Sequence, residues 1–357
     1  SLCSSLDNPS LFVLSLLCHD IGKGEGKGHS ERGALLANQI ANRLGFTPQE
    51  TDRLMLLVRE HLMMSRVAQR RDLNDAKVIE EFGRRVRDSE TLQLLYLLTF
   101  VDMKGTGNQL WTKWSKSLLS ELYQKTLAYL TEGEVKIFGK SEEKQIEGLE
   151  EVLEKEEIFV RVNPQKSEGF TEFAVCVREG TPGVFAKIAG AISANRMNIL
   201  SANIFTTPKG YAVDLFRVDK NGEAITNPRA IQAVTSTIRN VLGGKESLPE
   251  LFAHVKKGRI EKPVPRLRPP KVVIDNQSSE RFTVVEVYAY DRPGLLYDLA
   301  SALTATGMDI SLAKISTQAD QASDVFYVSS LDGKKVTDSE TLDALQRHLS
   351  SAAQFSR

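Results

Sequence analysis

Imidazole and carboxylate side chains recur in the first third of the sequence in a pattern that could hold a divalent metal ion. The dyad His19-Asp20 lies in the stretch LLCHDIGKG, and His29, His61 and Asp102 follow at longer spacings. Neutral imidazole and carboxylate suit Zn, Mn, Fe and similar ions, and this set could hold two ions if every ligand engages. Each His alone could instead be an ordinary core residue, but burying several such groups without a cation is costly.

The elements that must position these residues are helices, because the apolar spacing from Leu11 to about Leu130 is helical. The segment Thr47–Glu50 predicts a helix start with a capping box. The apolar stripe of that helix places His61 where a leucine would be expected. Asp102 lies on the apolar stripe of a later helix and likewise faces the core. Several helices therefore aim metal-ligand types inward.

Lys23 follows the dyad by one helical turn and could neutralise a phosphate group in the same pocket. A solvated surface lysine is an equally good interpretation. Residues 22–28 (GKGEGKG) are rich in glycine but lack a GKS or GKT ending, so they predict a flexible pocket wall rather than a P-loop.

The second half of the sequence has a different character and contains an internal repeat. Residues 140–157 are charged and Glu-rich, and short alternating runs of β-branched and aromatic residues follow them. The stretch 181–207 superposes on 292–318 at an offset of 111 residues. We therefore predict a helical domain at 1–139, a connector at 140–165, two α+β domains at 166–250 and 281–357, and a Pro-rich linker at 251–280.

Each repeat carries a turn from a strand into a helix that could bind a small ligand. Exposed N–H groups at a helix start attract a carboxylate, while a side-chain acid could hold an amino group. A plain, well-capped turn is the structural alternative. The predicted ligand-binding residues are Asp291, Gly294, Leu295 and Leu296 in the second repeat, and Gly183, Val184 and Asn198 in the first.

Composition excludes several classes of protein. Lys plus Arg and Asp plus Glu each number 46, so no global basic excess favours nucleic acid. The three cysteines form no C-x-x-C pair, and no apolar run is long enough to span a membrane. We expect a cytoplasmic protein that binds neither nucleic acid nor membrane.

The helical part resembles the HD phosphohydrolase superfamily in the stretches HDIGKGEGKGHSERGA, VREHLMMS and LLTFVDM. The superfamily pattern begins with a further His upstream of the dyad, and none precedes His19 here. The repeats resemble ACT domains, which are ferredoxin-like βαββαβ modules that bind amino acids, usually between paired copies. The resemblance implies a multidomain fold, with an all-α HD domain followed by two α+β ACT domains that could also pair two chains.

Together these parts resemble the C-terminal portion of the bifunctional uridylyltransferase/uridylyl-removing enzymes of bacterial nitrogen regulation. That resemblance implies hydrolysis of UMP from the uridylylated PII signal protein, with glutamine sensed by the ACT domains. It implies His19, Asp20, His29, His61 and Asp102 as ligands of Mg or Mn, with Fe or Zn as alternatives. Asp20 and Lys23 are the expected catalytic residues.

One sequence feature and two alternative functions limit this interpretation. No Gly-Ser dipeptide occurs in the sequence, so we expect the nucleotidyltransferase domain of that family to be absent here. A guanosine tetraphosphate hydrolase of the HD class is one alternative, although that family usually carries a single ACT domain. A non-catalytic amino-acid sensor that binds PII is the other.

Overall fold

A computed structural model describes residues 6, 8–24, 28–106, 111–135, 156–178, 183–206, 211–257, 269–318 and 321–354. The chain divides into two compact units, Ser1–Gly139 and Lys140–Arg357. Most of the predicted connector, and Pro263 and Pro265 of the predicted linker, lie outside the described residues. Every helix that the structure describes is too short or too polar to cross a lipid bilayer.

The regular secondary structure in the described part of the first unit is all α-helix. Its helices are α1 Pro9–Cys18, α2 His29–Leu44, α3 Pro48–Arg59, α4 Met63–Arg70, α5 Ala76–Val86, α6 Ser89–Thr106 and α7 Lys113–Glu132. Leu11, Leu57, Phe82, Leu95 and Leu122 from five of these helices are fully or almost fully buried in one core. Burial of such side chains contributes roughly 1.5–3 kcal/mol each and holds the helices together.

The start of α3 follows the sequence closely, whereas its end does not. Thr47 and Glu50 form the expected capping box, with Pro48 at the first helical position. The helix ends at Arg59, so His61 lies in the turn before α4 rather than on the helix. His61 nevertheless faces inward and is 2% exposed, because the turn carries its ring back under the end of α3.

The second unit is a sheet with helices. Its elements in chain order are β1 Ile158–Gln165, β2 Phe170–Arg178, α8 Val184–Ala194, β3 Asn198–Thr206, β4 Tyr211–Asp219, α9 Pro228–Leu242, α10 Leu248–Lys257, β5 Lys271–Asp275, β6 Thr283–Tyr290, α11 Leu295–Ala305, β7 Met308–Gln318, β8 Gln321–Ser330 and α12 Ser339–Ala352. We call β1 to α10 the first copy and β5 to α12 the second copy.

The strand order within each copy corrects the predicted βαββαβ pattern. Each copy runs ββαββα, with the additional helix α10 at the end of the first copy, so the edge strand precedes the other three instead of ending the copy. In the first copy the edge strand β1 joins β2 through a tight turn at Gly169, whose φ is +81°. An antiparallel edge position can be filled through a short hairpin, and the four-stranded antiparallel order of the predicted fold is kept.

The two copies form one continuous sheet rather than separate domains. The strand order is β1-β2-β4-β3-β7-β8-β6-β5, and every neighbouring pair is antiparallel. The seam is the β3–β7 pair, in which Ser201, Ala202 and Asn203 face Lys314, Ala313 and Leu312. One core with residues of both copies lies on the helical side of the sheet and includes Phe216 and Phe326.

Candidate functional site

His19 and His61 are each positioned by the end of a helix. The last carbonyls of a helix lack intrahelical partners, and each ring satisfies one of them: His19 Nδ1 lies 2.8 Å from Leu16 O, and His61 Nδ1 lies 2.7 Å from Val58 O. Because a carbonyl only accepts, Nδ1 carries the proton in the neutral ring. In both residues Nε2 is thereby left with its lone pair available, which is the arrangement typical of metal-binding histidines.

The structure brings all five predicted metal-ligand residues together. His19 Nε2 lies 3.4 Å from Asp20 Oδ2 and 3.6 Å from Asp102 Oδ1, and His61 Nε2 lies 3.7 Å from Asp20 Oδ1. The His29 and His61 rings are 5.5 Å apart between centroids. Asp20, His29 and His61 can each offer one ligand atom such that all three atoms lie within 4.8 Å of one another. The cluster thus centres on Asp20.

A close backbone approach joins the dyad segment to α2. A Cβ atom at Gly22 would lie 2.1 Å from the His29 carbonyl oxygen and 2.7 Å from the Gly33 nitrogen, both backbone atoms that cannot move aside cheaply. Only glycine therefore fits here. This contact sets the start of α2, and with it His29, against the segment that carries His19 and Asp20.

The surroundings shift the pKa values of His19, Asp102 and His61 in different directions. The nearby carboxylate of Asp102 raises the pKa of His19, and His19 in turn holds the pKa of Asp102 below its ordinary value. Burial lowers the pKa of His61, and the neighbouring His19 adds to that effect. His61 is therefore neutral at physiological pH, as a metal ligand must be.

One atom of the cluster supports a fit to a cation. Asp20 Oδ1 is buried and has no hydrogen-bond partner within the described part of the chain, although a buried carboxylate oxygen normally has one. Asp20 Oδ2 meets the ammonium group of Lys23 at 2.5 Å, and that lysine is 62% exposed. Oxygen and imidazole nitrogen donors facing a shared space suit a divalent ion, so the residues present fit the implied metal.

A second candidate site is a cavity of about 320 Å³ at the seam of the second unit. Residues at the end of α8 and the start of β3 in the first copy line one wall, and the turn before α11 in the second copy lines another. Of the seven predicted ligand-binding residues, five line this cavity: Asp291, Gly294, Leu295, Leu296 and Asn198. Gly183 and Val184 do not line it, so the structure separates them from the other five.

The turn before α11 has a fixed geometry. Gly294 is the N-cap residue with φ of +84°, a left-handed conformation that favours glycine. Arg292 is tied down by an ion pair of 2.5 Å with Asp298 and by a 2.9 Å hydrogen bond that it donates to Ala352 O. The Leu295 amide donates to Arg292 O, so the amides that follow it at the start of α11, beside the cavity, are the ones that could receive a carboxylate.

Sequence reasoning missed one acidic residue in this cavity. Asp324 on β8 lines it and is 2% exposed, and burial raises its pKa to about 8. Asp214 occupies the matching position on β4 and is equally buried, with a pKa raised to about 7. The signal was available, because the stretches Asp214-Leu-Phe and Asp324-Val-Phe match at an offset of 110, once one residue is removed from the turn before the last strand of the second copy. Strand alternation then turns both aspartates to the same face as Phe216 and Phe326.

Comparison with known proteins agrees with this architecture. A family model described as an ACR9-like, ACT-like domain matches residues 271–354, which is the second copy. The bifunctional uridylyltransferase/uridylyl-removing enzyme of Gluconobacter oxydans (strain 621H) is 32% identical over 98% of this chain and 41% of the relative. The proteins of the same name from Zymomonas mobilis and Rhodospirillum rubrum are 34% and 33% identical, over 100% and 96% of this chain. No solved structure matches the chain.

These findings define a class of protein: a helical unit with a His- and Asp-rich cluster, linked in one chain to a paired α+β unit with an ACT-like copy. Within that class, the chain belongs to the family of bifunctional uridylyltransferase/uridylyl-removing enzymes, which confirms the resemblance seen in its sequence. The chain spans about two fifths of the length of the curated relatives it matches.

Proposed function

We propose that the helical unit is a metal-dependent phosphodiester hydrolase that removes UMP from the uridylylated tyrosine of a PII-type signal protein. The observation that carries this proposal is the convergence of His19, Asp20, His29, His61 and Asp102 from separate elements, with two Nε2 atoms turned toward carboxylates. The names of the relatives support the choice of a uridylyl group.

Four residues would hold the metal ion in this proposal: His19, Asp20, His61 and Asp102. His29 would bind a second ion or lie beside the phosphate. When bound, a divalent ion supplies a water of lowered pKa and polarises the phosphoryl oxygens. We infer Mg or Mn as the resident ion, with Fe or Zn as alternatives.

The chain's own side chains have defined tasks. Leu16 O fixes the tautomer of the His19 ring, and Asp102 Oδ1 faces the free Nε2 of that ring at 3.6 Å, so both atoms can bind one ion. Lys23 is exposed and close to Asp20, so its ammonium group can pair with a phosphate oxygen and stabilise the charge that develops there. The leaving group is a tyrosine phenolate with an ordinary pKa of about 10, which lessens the need for a strong general acid.

Regulation is assigned to the second unit. We propose that glutamine binds the cavity at the seam, with its carboxylate at the start of α11 and its amino group near Asp291. Binding there would change the hydrolytic rate through thermodynamic linkage between two sites. The size of the cavity, about 320 Å³, is at the small end of the range for ligand pockets.

The test is release of UMP from a uridylylated PII-type protein by the purified chain in the presence of Mn²⁺ or Mg²⁺. The matched control is Asp102→Asn, which keeps size and helix but removes the charge. Release of UMP by the wild type and not by the variant supports the proposal. Cleavage of guanosine tetraphosphate instead would favour the other hydrolase class, and a chain that takes up no divalent ion by elemental analysis would favour a sensor without catalysis.

A further inference from the structure

The buried aspartate of the seam cavity lacks a complete set of hydrogen bonds. The amide of Ser316 donates to the Asp324 carboxyl group, but Oδ1 has no partner among the described residues. Its cross-strand neighbours, Val287 and Ile315, are apolar. Such a group is costly to bury unless a donor or cation approaches it, and the cavity is the side from which one can arrive.

Asp214 shows that the aspartate alone does not make the site. It holds the same position in the first copy, faces Val175 and Ile204 on the neighbouring strands, and has an oxygen, Oδ2, without a hydrogen-bond partner in the described part of the chain. It does not line the seam cavity. The two aspartates are equally buried and hold the same strand position in the two copies, but only Asp324 lines this cavity. Asp214 is therefore an internal control.

Three other charged residues line the cavity: Arg196, Asp291 and Arg292. Arg292 is engaged by Asp298 and by the carbonyl of Ala352, both outside the lining. Desolvation, and secondly the charge of Asp291, raise the pKa of Asp324 to about 8. Near neutral pH an empty cavity therefore contains a protonated Asp324 carboxyl group.

We propose that Asp324 receives the ammonium group of the zwitterionic amino acid that occupies this cavity. The ligand then spans the cavity, with its carboxylate at the amides that begin α11 and its ammonium at the floor formed by β8. The proton balance follows: the ligand keeps its three N–H bonds, and the Asp324 carboxyl group releases its proton to solvent as it becomes an ion-pair partner. This inference rests on the proposed binding of glutamine, and it replaces Asp291 by Asp324 as the main partner of the amino group.

The experiment is calorimetric titration of the whole chain with L-glutamine at neutral pH, in buffers of different ionisation enthalpy. We expect the wild type to release close to one proton on binding. Asp324→Asn should weaken binding by about 10- to 100-fold, the loss typical of a charge-assisted hydrogen bond, and should release no proton. Asp214→Asn should bind as the wild type does. Equal binding by wild type and Asp324→Asn, or equal losses in both variants, would overturn the inference.

A ligand variant keeps the test decisive if Asp324→Asn does not fold. The deaminated analogue 4-carbamoylbutanoate lacks only the amino group, so the wild type should bind it at least about 10-fold more weakly than glutamine and without proton release. Tight binding of this analogue would contradict the role of Asp324 while leaving glutamine as the ligand. A wild type that binds none of the standard amino acids would refute both the proposed sensor function and this inference.

Discussion

The two buried aspartates predict how the stability of the second unit depends on pH. Burial raises the pKa of Asp324 to about 8 and that of Asp214 to about 7, against an ordinary value of 3.8. Below about pH 4 both carboxyl groups are protonated in the folded and unfolded chain, so they contribute no pH dependence. As the pH rises, the unfolded chain releases these protons and the folded unit keeps them, so stability falls until the folded pKa is passed.

The magnitude follows from the linkage relation. One pH unit in this window changes the free energy of unfolding by about 1.4 kcal/mol per group. From about pH 5 to about pH 7 each aspartate should therefore lower the stability of the second unit by roughly 2–3 kcal/mol. Asp→Asn at either position removes the titration and keeps the shape, so each variant should gain that amount relative to the wild type over the same interval.

Urea unfolding at the two pH values can measure this effect, because the two units can be followed separately. Both tryptophans, Trp111 and Trp114, lie in the first unit, so their fluorescence reports that unit alone. Far-ultraviolet circular dichroism adds the transition of the sheet. Other carboxylates titrate equally in wild type and variant and cancel in the comparison. If the stability of the variants changes with pH as that of the wild type does, burial does not disfavour the charged form of these two carboxyl groups, and the reasoning is refuted.

Further predictions concern the helical unit and the seam cavity. Asp102→Asn should abolish phosphodiester hydrolysis with unchanged helix content by circular dichroism, and a retained rate would remove Asp102 from the site. Gly22→Ala should displace α2 from the dyad, because its Cβ would meet the His29 carbonyl at 2.1 Å, and should lower divalent-ion uptake measured by elemental analysis; unchanged uptake would contradict that contact. Lys125→Met should cost about 1–3 kcal/mol in urea unfolding followed by tryptophan fluorescence, since it leaves the Leu73 carbonyl without the buried Nζ donor at 2.9 Å. Asp291→Ala should weaken glutamine binding in calorimetry less than Asp324→Asn does and leave metal content unchanged, and the reverse order would restore Asp291 as the main partner of the amino group.

The helical cluster was predictable in composition because polar residues at inward positions are informative. His61 and Asp102 stand at positions where an apolar side chain would be expected, and the structure places both beside the dyad. The manner of positioning was not predictable. The sequence places His61 on a helix, whereas the residue lies past the helix end and its ring satisfies the Val58 carbonyl. Apolar periodicity does not show at which residue a helix ends.

The second unit shows a different limit. The repeat and its strands could be found by superposition, but the place of the edge strand could not, because a hairpin before the repeat and a strand after it fill the same position. The seam cavity depends on which strands of the two copies pair, and nothing in either repeat alone specifies the β3–β7 contact. Asp324 was overlooked because a single acid in a short strand is usually turned to solvent.

The seam itself has a mechanical consequence. Three residue pairs join the copies along β3 and β7, and a slip of one residue there would turn every side chain of one strand to the opposite face. Asn198 begins β3 and Ile315 belongs to β7, and both line the cavity. The affinity for a ligand that contacts both residues would therefore depend on the register of the β3–β7 pair, and binding of that ligand would in turn favour one register.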